Sequence, residues 1–188
     1  MTTARLDALE AHRLALTARL DALDSEAVHA VPAPGAWSLV QVAEHLLKID
    51  RGLRLDGPTA GPVGTVRSRL GASALRGVLG LPIRIPAPPS ARGVMPSAAP
   101  TWTDVRDVWT DLRAAWASAL PEATPAAVAY QHPLAGPLRL DDALAFLLAH
   151  HRHHDAQVER TLGAVRTLGL APASVPCQDS TPPVSLAT

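Results

Sequence analysis

Residues 149–157 read AHHRHHDAQ, which places histidines 150, 151, 153 and 154 within five positions and Gln157 three residues beyond the last. Imidazoles at helical spacing can ligate a divalent metal, shuttle protons or fill a core, and their phase separates these uses. On a helix each residue advances about 100°. With Leu147 as the origin, His154 falls about 20° to one side, His150 about 60° to the same side and His151 about 40° to the other, while His153 points toward water. His150 and His154, at i and i+4, converge as the two histidines of a zinc-binding HExxH helix do. His151 and His154, at i and i+3, form the competing pair. Two imidazoles do not make a centre, because a stable metal site usually takes three protein ligands.

The third candidate is His45 in AEHLLKID. It lies about 60° from Val42, at the edge of an apolar stripe that includes Ile49. A single histidine at such a margin is ordinarily a hydrogen-bonded core residue, but two helices that each carry one can bring them together, as helical bundles do when they build metal sites. His12 also lies near an apolar stripe and reads as a core residue or one standing behind the ligands. Asp50 and Gln157 are each placed to orient a ligand imidazole or a bound water, although a solvated helix face accounts equally well for a lone acid. His29 and His132 fall in loops and are assigned no role.

Four helices would have to position these groups. Leu6, Leu9, Leu16, Leu20 and Leu23 recur at helical spacing in the first. Ser38 followed by Gln41 is a capping box that opens the second, over Leu39, Val42, Leu46, Ile49 and Leu53. Trp102, Val105, Trp109, Leu112 and Trp116 alternate by three and four in the third, which Pro121 stops. The fourth runs from about Leu140 to Arg166, after a turn around Gly136 and Pro137. The fold class expected is therefore all-α, a four-helix bundle over residues 1–168.

Residues 57–100 are the irregular part, with eight prolines and seven glycines. The stretch is long for a connection inside a compact domain and would let the third helix run parallel to the second through a crossover. A brief helix could occupy Thr65 to Val78. The stretch holds Arg67, Arg69, Arg76, Arg84 and Arg92 and no acid, which fits either a cationic lid over an anionic substrate or a solvated loop. From residue 169 the composition suggests a flexible tail.

Composition excludes several function classes. Lys+Arg and Asp+Glu balance at 17 each, so no overall field draws the chain of 188 residues to nucleic acid. No apolar run is long enough to span a bilayer, the first residues lack the apolar core of a signal peptide, and the single cysteine, Cys177, supports no disulfide framework. A cytoplasmic chain acting on a small molecule is expected. The Trp-rich third helix suits a homodimer contact as well as a core.

The run PGAWSLVQVAEHLLKID resembles the second-helix signature of the DinB superfamily, in which a Trp-Ser pair opens the helix and a His-Leu pair follows within two turns. LRLDDALAFLLAHHRHHDAQVER is similar to that family's last core helix, with two histidines four apart and Gln three residues later. The resemblance implies a four-helix bundle holding one divalent metal, zinc, nickel or iron, on His45, His150 and His154, with Asp50 at the acidic position usual after the His-Leu pair. Arg139 departs from the Ser or Thr that often caps the last helix, and the connection 57–100 is longer than is common. The resemblance further implies thiol-dependent transfer or hydrolysis of small electrophilic molecules, with a low-molecular-weight thiol as second cofactor. The competing expectation is a non-catalytic, stress-associated bundle whose metal is structural.

Overall fold

The computed structural model describes residues 2–55, 77, 89–124 and 127–170. The helix considered over Thr65 to Val78, apart from Gly77, four of the five arginines of the connection, and the tail beyond residue 170 lie outside the described residues.

The long helices form where the apolar stripes predict them. Helix α1 spans Thr2–Asp21 and buries Leu9, Leu16 and Leu20. A short helix, α2 (Ser25–His29), follows it, capped by the Asp24 carboxylate accepting from the Ala27 amide. Helix α3 covers Leu39–Asp50, and both halves of its capping box are made: the Gln41 amide donates to Ser38 Oγ and the Ser38 amide to the Gln41 side chain. A 3₁₀ turn at Pro89–Val94 leads into an extended strap through Ala98. Helix α4 spans Trp102–Ala119 behind a Thr101 cap, and α5 runs Leu140–Thr167. Gly169, in the left-handed region at φ 75°, closes α5, with the Leu170 amide returning to the Val165 carbonyl.

Cross-helix pairs fix the directions. Arg5 meets Asp141, His12 meets Asp155 and Arg19 meets Glu159, so numbers ascend together and α1 runs parallel to α5. Arg106 reaches Asp21 whereas Arg113 faces Glu10, so α4 opposes α1. One core cluster joins Ile49 and Leu53 with Leu140, Leu144 and Leu147, and the other joins Leu39 and Val42 with Val158 and Leu162, so α3 opposes α5. Helices α3 and α4 are therefore parallel.

Two elements differ from the sequence expectation. His29 sits in α2 rather than a loop, and the turn before α5 is a β-hairpin, Val128–His132 (β1) paired antiparallel with Gly136–Arg139 (β2). His132, also expected in a loop, ends β1, where its Nδ1 accepts from the Leu134 and Ala135 amides. The hairpin packs Tyr130 and Leu138 onto the core, and Gly52 permits the approach, since a Cβ there would lie 2.6 Å from the Tyr130 ring. Arg139 precedes α5 without a side-chain cap, and Asp141 and Asp142 in the first turn complement the helix dipole instead.

Candidate metal centre

Helix α3 presents His45, and α5 presents His150 and His154 one turn apart; one ring nitrogen from each lies within 4.8 Å of the other two. His45 and His154 are buried and His150 is half-buried. His45 Nε2 is 3.1 Å from His150 Nε2. Two imidazole nitrogens on one ion about 2.05 Å away sit about 3.3 Å apart if the ion is tetrahedral and about 2.9 Å if they are cis on an octahedron. The observed separation falls within that span.

Hydrogen bonds select the nitrogens that face inward. His45 Nδ1 donates to the Val94 carbonyl at 2.7 Å, which leaves Nε2 as the lone-pair atom. His154 Nδ1 donates to Gln157 Oε1 at 2.8 Å, with the same result. A metal-binding histidine is ordinarily held this way, its second nitrogen committed to a carbonyl or carboxylate oxygen. Burial pushes the His45 imidazole below its usual range, with the Val94 bond opposing only part of the shift. Burial, reinforced by His154 and His45, pushes His150 well below it. Burial and the neighbouring His45 lower His154 to about 4. All three are neutral at neutral pH, the protonation state that ligation requires.

Aromatic rings enclose the trio. Trp37 lies 5.1 Å from the His45 ring and stacks at 6.3 Å on His154, while Phe146 packs 5.6 Å from His150 and in turn carries His132 at 4.8 Å. Trp37 precedes the Ser38 cap and was read from the sequence only as part of a motif. Its place in the site follows from the cap, which sets it one turn before Gln41 and two before His45. A cavity of about 270 Å³ between α3 and the start of α4, lined by Glu44, Lys48, Arg51, Ser97, Thr101 and Asp104 among others, does not include the trio.

The remaining candidates fall elsewhere. His151 is fully buried and its Nε2 donates to Asp50 Oδ1 at 3.0 Å. Asp50, also fully buried, spends its hydrogen bonds on His151 and α4: its other oxygen accepts from Trp109 Nε1 at 2.8 Å and Arg113 at 2.7 Å. Burial raises the Asp50 carboxyl, but His151, Arg113 and Trp109 together bring it below its usual value, so it is ionised. His12 Nε2 donates to Asp155 Oδ1, 2.8 Å away, and its ring lies 5.5 Å from that of His151. His153 is half-exposed, its ring edge-on to His154 at 5.5 Å, and so less solvated than its projection implies. Sequence reasoning missed Arg13 and Arg113, buried cations on otherwise apolar stripes whose charge masked their inward phase.

A family model of the DinB superfamily matches residues 8–158. Among solved structures, the chain is similar to YfiT from Bacillus subtilis, described as a probable metal-dependent hydrolase with an unusual four-helix bundle topology, at a TM-score of 0.51 and 16% identity over 90% of this chain and 89% of that one. No curated protein matches. With the family model covering α1 through most of α5, and the bundle and its histidine trio in place, the chain belongs to the DinB superfamily.

Proposed function

We propose that His45, His150 and His154 hold one divalent cation and that the chain is a metal-dependent enzyme acting on small electrophilic molecules, by hydrolysis or by transfer to a low-molecular-weight thiol. The observation that carries the reading is the convergence of three neutral imidazoles, two with the outer nitrogen already committed to Val94 and Gln157. Such a cation, when bound, acts as a Lewis acid that lowers the pKa of a coordinated water or thiol.

The protein's part is arrangement. Three neutral ligands add no negative charge, so the cation's full charge stays available to a substrate. Neither His45 nor His154 can turn without breaking its outer hydrogen bond. Trp37 and Phe146 give the site apolar walls, which suit a compact, weakly polar substrate and shield it from bulk water. His150 is the least buried of the three, so a small molecule would reach the centre from its side.

The test pairs a bound-metal assay on tag-free protein with turnover of an activated ester and of a generic alkylating electrophile, with and without added thiols. Metal-dependent turnover that disappears in the double variant His45→Ala plus His154→Ala supports the reading. Stoichiometric metal with no turnover of either substrate class favours a structural ion.

A further inference from the structure

One stripe of α3 does more than carry a ligand. Gln41, Glu44, His45 and Lys48 lie at i, i+3, i+4 and i+7, and together they hold the last residue of the 3₁₀ turn and the strap that follows it. Gln41 Nε2 donates to the Ser97 carbonyl at 3.1 Å, and Lys48 Nζ to the Met95 carbonyl at 2.9 Å. The Ser97 amide donates to Glu44 Oε2 at 2.7 Å, and the Ser97 hydroxyl reaches the same carboxylate at 2.9 Å. Lys48 closes the set with an ion pair to Glu44 at 2.9 Å. The fourth member, His45, donates to the Val94 carbonyl, and that bond ties this segment to the metal site.

We propose that Glu44 is a positioning residue for the metal centre. By anchoring Ser97 it keeps the Val94 carbonyl on His45 Nδ1, so docking of the strap and loading of the trio are one coupled equilibrium. Met95 to Ala98 offer α3 backbone carbonyls, one amide and the Ser97 hydroxyl, groups that would otherwise be hydrated, while Val94, just before them, packs on the core cluster. An undocked strap would free His45 to rotate or to move its proton to Nε2, either of which removes the ligand lone pair from the site. Coupling is reciprocal: whatever the docked strap adds to metal affinity, metal adds to docking. Loss of a group that orients a metal-bound histidine ordinarily costs about 10–100-fold in affinity.

This inference rests on the metal reading above, and the experiment separates the two. Cobalt(II) is titrated into the full chain and followed by its visible ligand-field bands, while hydrogen exchange of residues 94–98 is measured with and without cobalt. The wild-type strap should exchange more slowly when cobalt is bound. Glu44→Ala should lose about ten-fold in cobalt affinity and exchange faster in the strap. Glu44→Gln, which keeps an acceptor for Ser97 but no charge, should recover most of the loss, and Ser97→Ala should show a smaller defect in the same direction. The proposal is overturned if Glu44→Ala binds cobalt as the wild type does, if Glu44→Gln is as impaired as Glu44→Ala, which would make the effect one of charge, or if cobalt leaves strap exchange unchanged. A wild-type chain that binds no cobalt overturns the metal reading instead.

Discussion

Gln157 touches His154 but cannot itself reach the inward-facing nitrogens, so its replacement separates orientation from ligation. Its Oε1 accepts the Nδ1 proton of His154 at 2.8 Å. Gln157→Leu keeps the volume and removes the acceptor, which lets the imidazole exchange tautomers. Zinc affinity, measured by competition with a chromophoric chelator, should fall about ten-fold or more with helix content intact. His153→Ala, one residue from a ligand but outside the trio, should leave it unchanged. The same imidazoles set the pH response of the metal-free chain. His154 titrates at about 4 when folded but near the ordinary imidazole value when unfolded, and His45 and His150 shift in the same direction. Between those values the unfolded chain binds protons that the folded chain refuses, so stability falls as pH drops from about 6.5 to about 4. His154 alone accounts for up to about 3 kcal/mol. Urea unfolding of chelator-treated protein should show this decline, and saturating zinc should reduce it at the upper end of the window, where metal still outcompetes protons.

At the scale of elements, Asp50 ties three helices together: it sits at the end of α3, accepts from Trp109 and Arg113 of α4, and accepts from His151 of α5. All are buried, and the one further carboxylate against Arg113 is Glu10, 3.6 Å from its Nε. Asp50→Asn keeps the shape and removes the nearer and fully buried of the two counter-charges of Arg113, which should destabilise the chain by about 3 kcal/mol in chemical denaturation. The two ends of this network were unequally legible in the sequence. The phase of α5 separated His150 and His154 from His153 because a long amphipathic helix has a readable period, and its start near Leu140 was legible from the turn signal at Gly136 and Pro137. Asp50 was legible as an acid near the site but not as the partner of His151, because the spacing of residues within α3 says nothing of what α4 brings against it. The hairpin ahead of α5 was read as a turn, since its strands are short and Pro137 interrupts the alternation that marks a strand. The strap left no pattern: apart from the Ser97 hydroxyl its contacts with α3 are made by backbone groups, which every sequence carries.

For the whole molecule, the helix directions explain why the ligands come from the second and last long helices. Helices α3 and α5 run antiparallel, so the middle of one faces the middle of the other, and His45 meets His150 and His154 at that level. Ions bound there bridge two helices distant in sequence and stabilise the folded chain only, by RT ln(1 + [L]/Kd). Removing the metal should therefore lower the melting temperature, and adding zinc at 100 times its dissociation constant should restore about 2.7 kcal/mol. The bundle itself, held by two apolar clusters on either side of the polar layer, should remain folded without metal. The measurement that bears most directly on the centre is the metal content of tag-free protein, wild type beside the double variant His45→Ala plus His154→Ala, by elemental analysis after gel filtration. One divalent ion per wild-type chain and none in the folded double variant is the predicted result. A wild-type chain that retains no metal even after zinc loading, or a double variant that retains as much as the wild type, would contradict it.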